Sequence, residues 1–366
     1  MPNFIPGLEL SRLFFIEAVK PILDADFPNL KYGAALVGSG SEILGFDTEM
    51  SADHYWGARL MLFLGEGDFA EFRDSIDEKL RHKLPYEIRG HSTNFVLYSE
   101  EDKTLLPTEI ESGLVNHRVE IFTIRKFILD YLGFDINEPI TPADWLSFPE
   151  QKLRTIGAGG AVYHDEIGLR ETLQRFEYFP RDVWLYILAS AWNRVGQEEH
   201  LMGRAGMVGD RIGSAIIASR LVRDLMRLCF LMEKRYAPYP KWFGRAFSEL
   251  KCAEDLSPIF KKVLAAEDWK TREKFLAEAY ERVAAMHNAL EITELLPAKA
   301  DNFFGRPFLV IHLHGKFAEA ICQQINDPIV KQLAEKPLIG SIDQISDNTH
   351  ILSDPRWRLI FRNLYE

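Results

Sequence analysis

Hydroxyl groups, glycines and carboxylates lie close together in one stretch of the chain, residues 36–63. An apolar run is followed by a turn of two glycines and two serines: Gly38, Ser39, Gly40 and Ser41. The loop after this turn carries four acidic residues: Glu42, Asp47, Glu49 and Asp53. Backbone N–H groups and hydroxyls in such a turn bind phosphate oxygens, and carboxylates hold Mg²⁺ against the same oxygens. The residue types therefore predict a site for phosphate and a divalent cation.

Two apolar runs frame this stretch, and both are predicted to be strands. Residues 34–37 form a short run typical of a buried strand, and residues 58–64 form a longer one. In the second run the leucines at 60, 62 and 64 alternate with Met61 and Phe63, so the two sets are expected on opposite faces. This order of strand, turn, acidic loop and strand is a compact way to hold a triphosphate.

Three short motifs in this stretch carry a resemblance: Gly40-Ser41-Glu42, Gly45-Phe46-Asp47 and Ser51-Ala52-Asp53-His54-Tyr55-Trp56-Gly57. They resemble the nucleotidyltransferase superfamily typified by DNA polymerase beta and the antibiotic nucleotidyltransferases. More narrowly, they are similar to an uncharacterised bacterial family of nucleotidyltransferase-like proteins. The similarity extends over nearly the full length and includes six later segments: Tyr163-His164-Asp165, Gly203-Arg204-Ala205, Ala237-Pro238-Tyr239, Lys241-Trp242-Phe243, His287-Asn288-Ala289 and Arg306-Pro307-Phe308.

The resemblance implies an α+β fold, in which a small mixed-sheet nucleotidyltransferase-like domain is followed by a mostly helical C-terminal domain. The turn-rich segment 134–142 is the best boundary. We therefore expect a nucleotidyltransferase-like domain over residues 1–137 and a helical domain over residues 138–366. The helical domain is expected to close one side of the substrate cleft.

The resemblance also implies a reaction, the transfer of a nucleoside monophosphate from a nucleoside triphosphate to a hydroxyl of a small-molecule acceptor. Mg²⁺ or Mn²⁺ would be required. Ser39, Gly40 and Ser41 would bind the phosphates, and Asp53 would hold the metal and act in catalysis. His54 would contact phosphate or order the loop.

One position departs from the superfamily pattern. The superfamily has two alternating carboxylates, but Tyr55 stands where the second is expected after Asp53. A phenol, with a pKa of about 10, is a poor Mg²⁺ ligand. Asp47 or Glu49 could supply the second carboxylate instead, or a single metal could bind. The third alternative is a non-catalytic protein that binds a nucleotide or metabolite.

A later strand, predicted over residues 115–124, carries Glu120 between Val119 and Ile121. The superfamily usually adds a third carboxylate from such a strand, so Glu120 is a candidate metal ligand and a candidate base for the acceptor hydroxyl. The alternative is an acid on the solvated face of a strand.

An arginine stripe is predicted on a long helix over residues 205–236. Arg220, Arg223 and Arg227 fall at i, i+3 and i+7, on one helix face. Guanidinium groups bind phosphate through two parallel hydrogen bonds, so Arg223 and Arg227 are candidate nucleotide contacts. The alternative is a solvated face with Asp224 paired to its neighbours.

Lys241 lies in an aromatic, proline-broken corner over residues 236–243. This corner is either core between helices or an aromatic platform for a base, with Lys241 on a phosphate.

The composition of the whole chain limits the partners. The 366 residues carry a net charge of −11, which argues against a nucleic acid as the main partner and makes an RNA-end nucleotidyltransferase the weaker alternative. The three scattered cysteines suit a reducing cytoplasm, and we expect neither a secretory signal nor a membrane span. The oligomeric state stays open.

Overall fold

A computed structural model of the protein describes residues 3–50, 56–98 and 104–366. The chain divides into two compact units. Unit 1 comprises Met1–Pro139 with Lys152–Glu177, and unit 2 comprises Ile140–Gln151 with Tyr178–Glu366. The chain thus first leaves unit 1 close to the predicted boundary at residue 138. That residues 152–177 return to unit 1 was not predicted.

Most of the regular structure is helical. The strands in chain order are β1 Tyr32–Leu36, β2 Arg59–Leu64, β3 Glu87–Ile88, β4 His91–Ser92, β5 Phe95–Leu97, β6 Leu105–Pro107, β7 Arg118–Thr123, β8 Ala161–Asp165, β9 Asp301–Asn302 and β10 Leu309–Val310. The α-helices in chain order are α1 Gly7–Phe14, α2 Lys20–Asp26, α3 Glu66–Lys83, α4 Ile124–Leu132, α5 Pro142–Ser147, α6 Glu150–Leu153, α7 Leu169–Gln174, α8 Arg181–Met207, α9 Arg211–Met232, α10 Phe243–Phe247, α11 Ala253–Ala265, α12 Trp269–Ala289, α13 Lys316–Cys322, α14 Pro328–Ala334, α15 Ile342–Ile345, α16 Thr349–Ser353 and α17 Arg356–Arg362.

The main sheet of unit 1 has the strand order β7-β2-β1-β8. β1 is antiparallel to both of its neighbours, whereas β2 and β7 are parallel, so the sheet is mixed. Because β1 ends beside the start of β2, and β7 starts there too, three segments meet at one end of the strands. These are the turn after Leu36, the chain entering β2 at Arg59 and the first residues of β7.

One face of this sheet supports the core of unit 1. The cluster on this face contains Leu60, Leu62 and Leu64, whereas Met61 and Phe63 are buried outside it, which confirms the predicted alternation along β2. The helical spacing of apolar residues over 8–23 predicts an N-terminal helix, which is confirmed as α1, a π-helical segment and α2 in succession. Its residues with helical spacing all lie in the same core: Leu10, Phe14, Ala18 and Ile22.

Unit 2 is built around α8, which packs against α9, α12 and α13. The apolar pattern of the sequence predicts a first long helix over residues 180–195 and a second that begins near Ala205. Instead α8 runs to Met207, and α9 begins at Arg211, after Gly209 takes a left-handed conformation with φ 84°.

Glycines inside α8 explain this difference, because glycine lowers helix propensity in the sequence. A β-carbon at Gly196 would collide with the ring of His312, and one at Gly203 with the ring of Phe308. The glycines therefore let aromatic rings pack directly on the backbone of a continuous helix, which a local pattern does not reveal.

Two other local patterns mislead. The sequence pattern predicts a helix over residues 306–325, but the helix starts only at Lys316, because His314 and Gly315 have left-handed backbone with φ 62° and 71°. The adjacent polar residues His164 and Asp165 are typical of a turn, but they end β8 instead. Pairing with β1 decided this outcome.

The predicted α+β fold class is confirmed, with a small mixed sheet in unit 1 and helices in unit 2. Throughout the described ranges, each helix is too short or too polar to cross a membrane.

Candidate functional site

The predicted phosphate-binding turn follows β1 and requires glycine at two positions. Gly38 and Gly40 have φ values of 86° and 137°, which residues with a β-carbon rarely adopt. Among the described residues, none accepts a hydrogen bond from the backbone N–H of Ser39, Gly40 or Ser41. Three successive donors are therefore available to an anion, as a phosphate-binding turn requires.

A buried ion pair supports the turn. The carboxylate of Glu42 fills the space against Gly40, where a β-carbon would collide with it. Glu42 Oε1 lies 3.5 Å from Nη2 of Arg59, and both side chains are buried. Burial raises the pKa of Glu42, and the Arg59 charge opposes that shift. Arg59 Nη2 also donates to the carbonyl oxygen of Ser39 at 2.9 Å. The ion pair therefore joins the turn after β1 to the first residue of β2.

The two serines of the turn differ in their surroundings. The Ser39 hydroxyl is hydrogen-bonded to the phenol of Tyr131 in α4, and this phenol lies 2.8 Å from Oγ1 of Thr155. Burial raises the pKa of Tyr131, so its phenol stays protonated. Ser39 thus has a structural partner, and Ser41 is the better candidate for a hydroxyl contact to phosphate.

Asp47 lies at the N-terminus of α1. Its Oδ2 accepts hydrogen bonds from the backbone N–H of Gly7 at 2.7 Å and from Nε1 of Trp56 at 3.1 Å. A carboxylate in this place also faces the positive end of the helix dipole. Asp47 therefore has a structural role through one oxygen, and its other oxygen is the one that could bind a cation.

Glu120 lies on β7 opposite Met61 of β2, and its side chain is exposed. It is close to the start of β7, the end of the sheet at which the turn and the chain entering β2 also lie. An exposed acid on this strand fits a metal ligand and a solvated strand face equally, so its role stays a prediction.

Three predicted residues, Asp53, His54 and Tyr55, lie outside the described residues. Within residues 3–50, 56–98 and 104–366, no group of three or more His, Cys, Asp or Glu side chains is arranged to hold a metal ion. The predicted metal site therefore depends on Asp53, with Asp47 or Glu120 as its second ligand.

The predicted arginine stripe lines a cavity of about 290 Å³ within unit 2. Arg220, Arg223 and Arg227 of α9 all lie in its wall, together with Arg194 of α8. The segment that follows α14 completes the wall, including Asp343 and Asp347. Of the two alternatives for this stripe, the solvated helix face does not describe Arg227, whose side chain is only 15% exposed.

Lys241 is not part of this cavity. It lies in a 3₁₀ turn after Tyr239, is exposed, and places its Nζ 4.8 Å from the ring centroid of Trp242. The neighbouring Tyr236 and Ala237 are buried, so part of the aromatic corner is core.

Several residues of these sites were not found from the sequence. Arg59 lies within the apolar run 58–64, where nothing in the sequence singles it out, although its burial beside Glu42 holds the turn. Arg194 and Asp343 are distant in sequence from the arginine stripe, and no local pattern connects them with it. The regular spacing of the α9 arginines was the only signal for the cavity.

A family described as Domain of unknown function (DUF4037) matches residues 145–243. This match covers less than half of the chain and assigns no activity. It includes both arginine-bearing helices, α8 and α9. No curated protein matches the chain.

Among solved structures, the chain is similar to a nucleotidyltransferase-like protein from Exiguobacterium sibiricum 255-15. The identity is 8% and the TM-score 0.32, with 79% of this chain and 82% of that chain covered. A likeness this weak carries no argument about function, which rests instead on the residues of this chain.

Proposed function

We propose that the protein is a nucleotidyltransferase that moves a nucleoside monophosphate from a nucleoside triphosphate to a hydroxyl of a small-molecule acceptor. The observation that supports this proposal is the meeting of three segments at one end of the unit 1 sheet. They are the turn over residues 39–41, the start of β2 at Arg59, and the first half of β7 with Glu120. Asp53 precedes Arg59 by six residues in the sequence.

Each residue type has a physical role in this proposal. The N–H groups of the turn and the Ser41 hydroxyl bind phosphate oxygens. Asp53, with Asp47 or Glu120, would hold Mg²⁺ or Mn²⁺, and the bound cation offsets charge on the transferring phosphoryl group. The acceptor oxygen bonds to the α-phosphorus as the bond to the leaving pyrophosphate breaks. Glu120 takes the proton of the acceptor hydroxyl.

The test is a transfer assay with the full-length protein. Each of the four nucleoside triphosphates, labelled at the α-phosphate, is incubated with hydroxylated small molecules and Mg²⁺ or Mn²⁺. We expect label transfer from at least one nucleotide. Asp53→Asn should reduce it about 100-fold or more, because a metal ligand supports several kcal/mol of charge stabilisation.

The roles of Glu120 are tested beside a matched control. Glu120→Gln should lower transfer, whereas Glu71→Gln, at an exposed position on α3, should leave it unchanged. An Asp53→Asn protein with wild-type transfer would show that the site is misplaced.

A non-catalytic nucleotide-binding protein is the second candidate, favoured by Tyr55 at the position where the second carboxylate is expected. It predicts saturable, Asp53-dependent binding of a non-hydrolysable nucleotide analogue with no transfer. Addition of bulk tRNA tests the RNA-end alternative, which the net charge of −11 disfavours.

A further inference from the structure

The arginine cavity of unit 2 contains more cationic hydrogen-bond donors than its acidic neighbours use. Arg194 pairs with Asp224 at 3.1 Å, and Arg220 pairs with Glu198. Arg223 pairs with Asp347 at 3.1 Å, but the Asp347 side chain is 70% exposed. Such a solvated pair contributes little stability, so a ligand can displace Asp347 from Arg223 at low cost.

Arg227 is the least satisfied of the four arginines. Its Nη1 lies 3.6 Å from Glu150 Oε1, beyond ordinary hydrogen-bond distance. Its Nε and Nη1 are buried and donate to no described residue. A guanidinium has five N–H donors in a planar fork, and buried donors without acceptors destabilise a fold. The Arg227 side chain also lines the cavity wall, so an oxygen-rich anion there would draw the guanidinium toward it and give these donors acceptors.

Acidic side chains surround these arginines without using all of their donors. The lining holds four arginines and three aspartates, Asp224, Asp343 and Asp347, while Glu198 and Glu150 lie beside Arg220 and Arg227. Burial raises the pKa of Asp224 and the pKa of Asp343, and the charges of neighbouring arginines oppose both shifts.

We propose that this cavity binds a small phosphate-bearing molecule through Arg223 and Arg227. These two residues are four apart on α9 and therefore project from the same helix face. A phosphoryl group offers three acceptor oxygens and close to two negative charges, which matches convergent guanidinium forks better than a single carboxylate does.

The size of the cavity and its polar rim narrow the ligand class. A volume of about 290 Å³ is at the small end for ligand pockets, which suits a compact phosphomonoester rather than a polymer. Ser346 in the wall adds a hydroxyl donor. The site lies wholly within unit 2 and does not depend on the proposed nucleotidyl transfer.

Equilibrium dialysis of the full-length protein against labelled inorganic phosphate, without divalent cations and at low salt, tests the proposal. We expect saturable binding. Arg223→Gln should weaken phosphate binding about tenfold or more, since hydrogen bonds between charged groups are stronger than those between neutral groups. Arg223→Lys should also weaken it, because an ammonium lacks the planar fork.

The controls separate this site from the proposed one in unit 1. Arg204→Gln, at an exposed position on α8 outside the cavity wall, should bind phosphate as the wild type does. Asp53→Asn should also bind normally, and loss of phosphate binding in this variant would overturn the proposal. Circular dichroism confirms folding, and Arg227→Gln replaces Arg223→Gln if the latter is unfolded.

Three further results would overturn the proposal. The first is wild-type affinity for phosphate in both Arg223→Gln and Arg227→Gln. The second is the absence of saturable phosphate binding, and the third is preferential binding of succinate over phosphate.

Discussion

His312 has a ring enclosed by aromatic side chains in unit 2. Its ring centroid lies 6.0 Å from those of Trp192 and Phe317, with interplanar angles of 18° and 29°. Neither ring nitrogen has a hydrogen-bond partner among the described residues. Burial lowers the pKa of His312 to about 4, and His287 next to Phe317 has its pKa lowered to about 4 by burial as well. Both rings are therefore neutral in the folded protein.

This cluster should make stability depend on pH. A histidine with a folded pKa below the usual 6.5 stabilises the fold above pH 6.5, and this contribution is lost as the pH falls toward 4. For His312 the loss is at most about 3 kcal/mol. His312→Phe should reduce the fall in melting temperature between pH 6.5 and 4, because phenylalanine takes up no proton.

The slope of melting temperature against pH is the measurement, because a packing cost of the larger ring does not vary with pH. His350→Phe, at an exposed histidine, is the matched control and should keep the wild-type slope. Equal slopes for His312→Phe and wild type would contradict the prediction.

Glu199 of α8, in the same region, makes stability depend on pH in the opposite direction. Its Oε2 accepts the backbone N–H of Ile311 at 2.7 Å, and burial raises its pKa to about 7. Its stabilising contribution is therefore complete below pH 4.5 and lost as the pH rises through about 7. The histidine effect should be measured with Glu199 intact, so that its opposing slope is the same in every variant.

At the scale of elements, a single carboxylate joins α5 to α17. Asp144 Oδ2 accepts the backbone N–H of Thr141 at 3.0 Å in a capping box, which fixes the start of α5. Its Oδ1 accepts from Arg358 Nη1 at 2.8 Å and from Arg362 Nε at 2.9 Å. Asp144 and Arg358 are both buried, so the C-terminal helix is held by a desolvated ion pair.

Asp144→Asn should destabilise unit 2 by roughly 3–5 kcal/mol, because it removes the negative partner of a buried arginine. Chemical denaturation measures the loss, and hydrogen exchange should show lower protection over α17. The matched change Asp354→Asn affects a pair whose Arg356 side chain is 88% exposed, and it should cost about 1 kcal/mol or less. Similar costs for the two variants would contradict this account.

The sequence predicted the elements whose pattern is local. β1, β2 and β7 were all expected, because an apolar run or period-two spacing marks each of these strands. The glycine-serine turn and the arginine stripe were also visible as local patterns. By contrast, the Glu42–Arg59 pair and the contribution of Arg194 to the cavity depend on contacts between separate elements. Such contacts leave no periodic signal in a single sequence.

At the scale of the whole molecule, the main sheet of unit 1 needs β8, a strand that the chain supplies only after it has passed through residues 140–151 of unit 2. β8 pairs with β1 from Gly33 opposite Asp165 to Leu36 opposite Ala161. A boundary near residue 138 would therefore leave β1 with one unpaired edge. Exposed strand edges pair with other chains and promote aggregation.

Two fragments test this dependence. Residues 1–177 should give a monomer that unfolds cooperatively on heating, because they contain all four strands of the main sheet. Residues 1–139 lack β8 and should aggregate or lack a cooperative transition. Size-exclusion chromatography and circular dichroism measure both properties. A monomeric 1–139 fragment with the same melting temperature as 1–177 would show that β8 is dispensable.

The late position of β8 in the chain has a consequence for biosynthesis. A ribosome makes the chain from its N-terminus, so residues 140–151 of unit 2 are translated before the strand that completes the unit 1 sheet. Until residue 165 has emerged from the ribosome, β1 of the nascent chain keeps an unpaired edge that chaperones or neighbouring nascent chains can reach. A pause in translation within residues 140–160 would prolong that vulnerable interval and lower the yield of folded protein.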